Sequence, residues 1–483
     1  MPSGLWVWIR DPDQLIKSKE AVLSAKLHYH LIGIGGAGMS AIAHILHGRG
    51  ESVSGSDRQE NDATRRLRAA GVKVSIGHSA ANVNGADVVV YSAAIKPDNP
   101  ERVEAVRKGI PTLERPAMLG RLMEPYQHRV AVSGTHGKTT TTSMIDMILE
   151  QAGIDASVLI GGDLKSLGGN ARLGNGSVFV TEACEAFSSF LHLYPSITVI
   201  TNIDADHLDH YGTIEAIENT FRKFVSQLDA DGCVIACGDD PRVRKVLDGC
   251  GRRVIWFGLD GNSDLRAVDV DITKPEPTYT LVRNGEALGE VTLGVPGIQN
   301  VTDSLAAAGV AFELGADFEA VCKGLEEFHG AGRRFEVLYD AGGPMVVDDY
   351  AHHPAEIKAT LSGTRAAYGD RHIIAVFQPH LYSRTRAFRN EFAEALSIAD
   401  EVVVSSIYAA RELPIEGVTA ESIVDKMREN GFQSVQYAPD KDVIPEQLAR
   451  EVKSSDLVII LGAGDIRIVG ERLAAILSER GNG

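Results

Sequence analysis

The chain has few cysteines and no long apolar segment, and each shortage argues against a class of protein. Its five cysteines include no CxxC pair, and an odd number in a chain of 483 residues argues against a disulfide framework. We expect Cys233 and Cys237 to be buried strand residues rather than half of a metal site. No segment approaches the roughly 18 consecutive apolar residues of a membrane-spanning helix. Residues 5–9 are too short an apolar run for a signal peptide, so the sequence predicts a cytoplasmic protein with reduced thiols.

Positive charge is also scarce. The chain carries 48 lysines and arginines against 65 aspartates and glutamates, a net charge of −17. This balance argues against binding to nucleic acid or to anionic membrane surfaces. Small anionic ligands stay possible, because a local lysine or helix end outweighs distant charges that salt screens over about 10 Å. The length predicts about three domains, each large enough for its own core.

A glycine-rich loop between a predicted strand and a predicted helix is the most specific pattern in the chain. We predict the strand over residues 130–132 and the helix over residues 140–151, where apolar residues recur at helical spacing. Such a unit can bind phosphate, because glycines let backbone N–H groups approach the oxygens and the positive helix end favours an anion. Lys138 would reach the β- and γ-phosphates of ATP, and the Thr139 hydroxyl would bind Mg²⁺. Val132 stands where the strict phosphate-loop spacing has its first glycine, so an ordinary glycine-rich turn is the alternative.

A second glycine-rich turn lies in the first predicted domain. A strand over residues 29–32 leads into the GxGxxG pattern of residues 33–38, and apolar residues then recur at helical spacing. This arrangement suits a pyrophosphate at a helix N-terminus. Asp57 follows the glycines by about 20 residues, where a carboxylate can accept hydrogen bonds from ribose hydroxyls. The pattern therefore predicts a nucleotide diphosphate, and taken alone it favours NAD.

Polar clusters follow two strands of the predicted middle domain. The strand over residues 177–181 ends at Glu182, and the strand over residues 197–201 leads to His207. Open α/β sheets bind their ligands at the carboxyl ends of strands. A carboxylate and an imidazole at this edge suit Mg²⁺ and a phosphoryl group. The alternative for His207 is a helix-capping role.

Three α/β domains are predicted in chain order: a Rossmann-like domain over residues 1–127 with an extension over 1–27, a central P-loop ATPase-type domain over 128–331, and a Rossmann-like domain over 332–483. Strands that alternate with helical segments indicate a parallel sheet with helices on both faces in each domain. The stretch 328–335 is glycine-rich and holds Arg333 and Arg334, and we interpret it as the hinge into the third domain. One of these arginines could swing onto a phosphate that is being transferred.

In their order along the chain, these motifs resemble the Mur ligase family over nearly the whole sequence from Tyr29. The resemblance rests on the two glycine loops, Glu182, residues 202–207, Asn300 after Pro296 and Gly297, Arg334, and Asp349 with His352. It implies ATP-dependent ligation to the lactyl carboxylate of UDP-N-acetylmuramate through an acyl phosphate, in peptidoglycan precursor synthesis. His136, the segment 349–354 and the segment 377–380 are similar to members that add L-alanine. A member that adds a tripeptide is the nearest alternative.

The resemblance also implies a role for each matching residue. Lys138, Glu182, His207 and Arg334 would be catalytic, with Thr139, Glu182 and His207 on Mg²⁺. Residues that would bind ATP are Gly134, Thr135, His136, Gly137, Lys138, Thr139, Thr140, Asn300, Arg334, Asp349 and His352. Residues that would bind UDP-N-acetylmuramate or L-alanine are Gly35, Gly36, Ala37, Gly38, Ser56, Asp57, Ser92, Tyr350, His380 and Arg384.

Some positions depart from the family pattern, and other functions stay open. Gln299, Asp303 and Leu381 replace residues that are common in the family. An NAD-dependent dehydrogenase would explain the first glycine loop but would leave Lys138 and Glu182 without a role. A nonenzymatic module that senses ATP is the other alternative. We expect a monomer or a homodimer.

Overall fold

A computed structural model of the chain describes residues 26–164, 169–410 and 412–481. Most of the predicted extension, residues 1–25, lies outside the described residues, as does the segment 5–9. The chain divides into two compact units: Met1–Ile255 with Phe312–Gly315, and Trp256–Ala311 with Ala316–Gly483. Among the described residues, no helix is both long and apolar enough to cross a membrane.

The first unit begins with a five-stranded parallel sheet in the order β3-β2-β1-β4-β5. This order, with helices between the strands, is the Rossmann-like arrangement that the sequence predicts. The strands are β1 (His28–Ile32), β2 (Ser52–Asp57), β3 (Lys73–Ile76), β4 (Val88–Tyr91) and β5 (Thr112–Glu114). The helices are α1 (Ala37–Gly48), α2 (Asp62–Ala69), α3 (Pro100–Arg107) and α4 (Arg115–Met123), with a 3₁₀ turn at Ala80–Val83.

A second sheet of this unit carries the predicted phosphate loop. Its strands within the unit run in the order β11-β10-β6-β9-β7-β8, with β7 and β8 antiparallel. They are β6 (His128–Ser133), β7 (Ser157–Leu164), β8 (Gly169–Arg172), β9 (Val178–Glu182), β10 (Ile197–Ile200) and β11 (Cys233–Cys237). The helices are α5 (Lys138–Gln151), α6 (Leu208–Tyr211), α7 (Ile214–Ser226) and α8 (Pro241–Leu247), with a 3₁₀ segment at Ala186–His192. Cys233 and Cys237 are both buried on β11, as predicted.

The second unit contains an antiparallel hairpin. Strand β12 (Arg253–Gly258) crosses the boundary between the units and is followed by β13 (Leu265–Asp271), β14 (Thr278–Arg283) and β15 (Glu286–Thr292). The hairpin turns at Asn284 and Gly285, and both residues have positive φ, as a type I′ turn requires. Helices α9 (Ile298–Glu313) and α10 (Phe318–Glu326) follow.

The remaining sheet of the second unit has the order β16-β17-β21-β18-β19-β20, and only β16 runs antiparallel to its neighbour. Its strands are β16 (Glu336–Asp340), β17 (Met345–Asp349), β18 (His372–Phe377), β19 (Glu401–Val404), β20 (Val435–Tyr437) and β21 (Asp456–Leu461). The helices are α11 (Pro354–Ala367), α12 (Tyr382–Ala387), α13 (Arg389–Leu396), α14 (Glu421–Glu429), α15 (Ile444–Glu451) and α16 (Arg467–Gly481), with a 3₁₀ turn at Lys441–Val443.

The central strands of this sheet are the ones that the sequence predicts best, because they are buried on both faces. Every residue of β21 is buried, because helices cover both faces of a parallel sheet and both sets of side chains must then be apolar. Strands at the edges are less visible in the sequence. The edge strands β5 and β20 have only three residues each, and β16 is partly exposed.

Candidate functional site

The glycine loop of the first unit runs from Gly33 to the start of α1 and has the shape of a diphosphate-binding turn. Gly33 has a φ of +79°, and its N–H and that of Ile34 both donate to the carbonyl of Ser56 at the end of β2. Gly35 N–H donates to the Asp57 carboxylate over 2.8 Å, and a Cβ on Gly35 would lie 2.9 Å from that carboxylate. Ser92 Oγ is 4.0 Å from where a Cβ on Gly33 would be. The structure therefore brings together the residues predicted for the sugar nucleotide.

Ser56 faces inward. Its side chain is fully buried and donates over 2.6 Å to Glu101, the buried carboxylate in the first turn of α3. Asn82 donates to the same carboxylate over 2.6 Å, and His30 lies 3.4 Å from it. Burial alone would raise the pKa of Glu101, but the hydrogen bonds from His30, Ser56 and Asn82 lower it to about 2. Glu101 thus anchors the end of β2 to which the glycine loop is hydrogen-bonded.

This network makes the stability of the fold depend on acid pH. A carboxyl with a pKa of about 2 in the folded chain and about 4.3 in the unfolded chain stabilises the fold above the unfolded value. That contribution, on the order of 3 kcal/mol, is lost as the pH falls from about 4.5 towards 2. We expect Glu101→Gln to unfold more readily than wild type at pH 7, with a difference that shrinks over this range. Chemical unfolding at several pH values measures it; a difference that stays constant down to pH 2.5 would contradict the assignment.

The predicted phosphate loop lies between β6 and α5. Gly134 has a φ of +131°, and a Cβ there would lie 2.0 Å from Thr201 Oγ1, so only glycine fits. Asn202 Oδ1 accepts from the backbone N–H of His136 over 2.9 Å, and the His136 ring lies 3.6 Å from Asp204. The helix starts at Lys138, two residues earlier than predicted, which places the Lys138, Thr139 and Thr140 backbones in its first turn. Their N–H groups form the anion-binding end of α5.

Lys138 turns back over the loop. Its Nζ donates to the carbonyls of Gly134 over 2.5 Å and Thr135 over 2.8 Å, and it pairs with Glu185 at 3.0 Å. Burial would lower the pKa of Lys138, but the Glu185 carboxylate, with help from Cys184 and Glu182, raises it above its usual value. The ammonium is therefore fully charged at neutral pH. Glu185 is only 3% exposed, so this pair is shielded from solvent.

Two of the three predicted metal ligands, Glu182 and His207, differ in their hydrogen bonds and backbone conformation. Glu182, the last residue of β9, accepts the backbone N–H of Gly161 over 2.6 Å. His207 has a left-handed φ of +53° and precedes α6 without a capping hydrogen bond from its side chain. A non-glycine residue in this conformation costs free energy, which is typical of functional positions. The helix-capping alternative for His207 is therefore not supported by the geometry.

A cavity of about 140 Å³ opens between the glycine loop and Glu182 within the first unit. The Arg115 side chain closes over the start of α1, since a Cβ on Gly38 would lie 2.5 Å from its Nη1. Both Gly38 and Arg115 line the cavity together with Glu182, Cys184 and Phe190. A cation, a helix N-terminus and a carboxylate therefore share one apolar-walled space.

In the second unit, two neighbouring arginines have different surroundings. Arg333 donates to Asp348 over 3.1 Å and to the carbonyls of Gly462 and Gly464 over 2.6 and 3.0 Å. Arg334 is half-buried, 4.9 Å above the Tyr350 ring, and its closest carboxylate in this unit is Glu356 at 4.0 Å. Arg333 thus anchors the predicted hinge, and Arg334 projects from it.

Asp349 and His352 follow β17. Asp349 accepts the N–H groups of Phe335 over 2.9 Å and Ala351 over 2.8 Å, and burial raises its pKa to about 6 despite Arg334. Burial lowers the pKa of His352 to about 4, against the opposing effect of Glu356. His352 is therefore neutral at pH 7 and is a weak proton acceptor.

A row of rings continues from His352. The ring centroid of His380 lies 5.7 Å from that of His352 and 5.8 Å from that of Tyr408. Arg384 is buried with Nη1 3.3 Å from His380 Nδ1. Leu381, which departs from the family pattern, has a φ of +72°. The structure thus places Tyr350, His352, His380 and Arg384 in one cluster.

The side chain of Asn300 makes its hydrogen bond outside this cluster. Its side-chain amide donates to the carbonyl of Pro296 over 2.6 Å, and Asn300 is in the first turn of α9. Gln299 packs against Gly297, where a Cβ would lie 2.5 Å from its amide nitrogen. The Asn300 amide is thus bonded at the start of its own helix, and its role in ATP binding stays a prediction.

Sequence reasoning missed Glu185, Arg115, Glu101 and Asp348. Glu185 stands in the same polar cluster as Glu182, and nothing in the sequence separates the carboxylate that pairs with Lys138 from the one that does not. Arg115, Glu101 and Asp348 act through contacts between distant segments, which no local pattern shows.

Family models match this chain in three consecutive segments. They are the Mur ligase family, catalytic domain over residues 28–127, the Mur ligase middle domain over 132–311, and the Mur ligase, glutamate ligase domain over 333–464. The chain belongs to the Mur ligase family. The three-domain α/β fold expected from the sequence is confirmed.

Individual relatives show which members of the Mur ligase family this chain resembles. A UDP-N-acetylmuramate–L-alanine ligase from Trichlorobacter lovleyi is 45% identical over 92% of this chain and 97% of its own. The crystal structure of a UDP-N-acetylmuramate-alanine ligase from Thermotoga maritima matches with a TM-score of 0.80 at 31% identity, covering 94% of this chain and all of that one. A murein peptide ligase from Psychrobacter arcticus matches with a TM-score of 0.68 at 27% identity, covering 93% and 98%.

Proposed function

We propose that this chain joins L-alanine to the lactyl carboxylate of UDP-N-acetylmuramate, with ATP hydrolysed to ADP and phosphate, in peptidoglycan precursor synthesis. The relatives named for this reaction extend over almost the whole chain at 45% identity, which supports the choice among Mur ligases. The observation that carries the proposal is Lys138 at the start of α5, mostly shielded and paired with Glu185, on a loop built of glycine and backbone N–H groups. We also propose a cytoplasmic location and a monomer or homodimer.

Each ligand has a proposed set of residues. The glycine loop with Asp57 and Ser92 holds the UDP diphosphate and sugar, and Gly134, Thr135, His136, Gly137, Lys138, Thr139 and Thr140 hold the ATP phosphates. Asn300, Arg334, Asp349 and His352 complete the ATP site. Tyr350, His380 and Arg384 receive alanine, where the buried Arg384 suits a carboxylate. Ser56 supports the glycine loop through Glu101 rather than touching the ligand.

The residues around Lys138 fit a magnesium ion. Mg²⁺ prefers hard oxygen ligands, and Thr139 offers a hydroxyl while Glu182 offers a carboxylate. The proposed metal ligands stay Thr139, Glu182 and His207, while Glu185 pairs with the Lys138 ammonium. A bound ion would neutralise phosphate charge as ATP reacts.

The protein's main task is to bring two anions together. The lactyl carboxylate attacks the γ-phosphate and forms an acyl phosphate with release of ADP, and the alanine amine then displaces phosphate through a tetrahedral intermediate. Carboxylate and triphosphate repel, so Lys138 and Arg334 must offset that repulsion. Correct alignment of the reactants can itself contribute about 7–11 kcal/mol. The low pKa of His352 makes that imidazole a weak acceptor for the amine proton.

Phosphate release measured with a panel of acceptors tests the proposal. With ATP, Mg²⁺ and UDP-N-acetylmuramate present, we expect L-alanine to give the highest kcat/KM among L-alanine, glycine, L-serine and the tripeptide. The fluorescence of NADH should not change on addition of the protein. A preference for the tripeptide would assign the chain to the function of the murein peptide ligases. Release that is independent of either substrate would contradict ligation altogether.

A further inference from the structure

The antiparallel strands β7 and β8 of the first unit contact α1 and α5, the helices that follow the two predicted nucleotide loops. On β8, the Asn170 side chain is 6% exposed, and its Nδ2 donates to the carbonyl oxygen of Ala37. The same Nδ2 lies 3.4 Å from Ser40 Oγ, which itself donates to Ala37 O over 3.0 Å. Ala37 and Ser40 form the first turn of α1. The free N–H groups of that turn are the anion-binding end of the glycine loop.

Other residues of the same strand pair are fixed to the phosphate-loop side. Arg172, two residues beyond Asn170, donates to Asp146, which is fully buried on α5. On β7, Gly161 N–H donates to Glu182 over 2.6 Å. The strand pair is therefore bonded to the helix that starts at Lys138 and to the carboxylate that ends β9. Only Asn170 extends a side-chain hydrogen bond from it to the glycine-loop helix among the contacts described.

The position of this contact matters because of the cavity beside it. Leu159 and Gly161 of β7 line the same space as Gly38 and Glu182. In the proposed function, a sugar nucleotide held at the start of α1 must present its carboxylate to a phosphate bound at Lys138. A misplacement of about 1 Å can slow an aligned reaction by roughly 10²-fold. The spacing between α1 and the strand pair is thus a determinant of rate.

We propose that Asn170 is a positioning residue that holds the first turn of α1 at the distance from the phosphate loop that attack on ATP requires. The proposal rests on the proposed function for the identity of the two ligands. Asn170 acts through the Ala37 carbonyl and touches no reacting atom. Its role depends on the donor character of Nδ2, since a carboxylate in its place would set one acceptor against another.

The variant Asn170→Asp tests this role, because it preserves the shape of the side chain and removes the donor. We expect kcat for phosphate release to fall about 10- to 100-fold in Asn170→Asp and Asn170→Ala, with KM for ATP and for L-alanine changed less than about twofold. Asn170→Ser, which keeps a donor, should recover part of the rate. Asn175→Ala replaces an exposed asparagine just beyond β8 and should match wild type. A wild-type kcat in Asn170→Asp would overturn the proposal.

Amide hydrogen exchange gives a readout that needs no turnover. We expect exchange in the first turn of α1 to be at least tenfold faster in Asn170→Asp, with α5 unchanged. A general structural defect would instead speed exchange in both helices and raise every KM, and that result would also overturn the proposal. Absence of wild-type turnover with UDP-N-acetylmuramate would contradict the proposed function, while the exchange comparison would still decide the role of Asn170.

Discussion

Replacing Lys138 with alanine should reduce kcat by about 10²- to 10³-fold, or roughly 3–4 kcal/mol of transition-state stabilisation, as for the loss of one preorganised electrostatic donor. The ammonium is buried at the start of α5 and is held in its charged state by Glu185. No other cation among the residues of the first unit's phosphate loop can replace it. Initial rates of phosphate release at saturating ATP, UDP-N-acetylmuramate and L-alanine measure the effect.

In Lys138→Ala, a loss of catalytic rate must be distinguished from a loss of folding stability. Removing Lys138 leaves Glu185 buried without its ammonium partner, and an uncompensated buried charge is destabilising. We expect the double variant Lys138→Ala, Glu185→Gln to regain thermal stability without regaining activity. Lys73→Ala, at an exposed position at the start of β3, is the matched control and should behave as wild type. Turnover of Lys138→Ala within tenfold of wild type would refute the assignment of the ATP site.

The sequence predicts the fold well where local patterns are strong. The loop at Gly134 and the turn at Asn284 are visible because only particular residues tolerate their backbone geometry. Buried central strands such as β21 are visible because both faces are apolar. Edge strands such as β16 are less visible, since they are short and partly exposed, and their pairing is decided by distant segments.

The site is only partly predictable from the sequence, for a related reason. Backbone loops with phosphate-binding geometry are encoded locally, and so is the first turn of α5. The partners that charge, bury and orient side chains come from other strands. Glu185 reaches Lys138 and Glu101 reaches Ser56 only in the folded chain. A single sequence cannot distinguish these carboxylates from solvated ones.

The second large effect concerns the two neighbouring arginines of the predicted hinge. Arg334→Ala should lower kcat by about 10²- to 10³-fold, because a cation that meets the transferring phosphate would be lost. The thermal stability of this variant should change little. The Arg334 guanidinium approaches Glu356 only to 4.0 Å, stacks over Tyr350, and opposes the raised pKa of Asp349, which can protonate if the arginine is lost. Partly exposed pairs of this kind contribute about 0–1 kcal/mol. Steady-state kinetics and a thermal unfolding scan on the same preparation measure both quantities.

Arg333→Ala should show the reverse pattern and so serves as the matched comparison. It removes three hydrogen bonds and one of two arginines that neutralise the fully buried Asp348, with Arg467 remaining at 2.9 Å. Breaking a buried pair costs about 3–5 kcal/mol, and the remaining arginine places the expected loss near the lower limit. Hydrogen exchange in β17 and β21 locates that loss. If Arg334→Ala proved the less stable variant and Arg333→Ala the less active one, the roles assigned to the two residues would have to be exchanged.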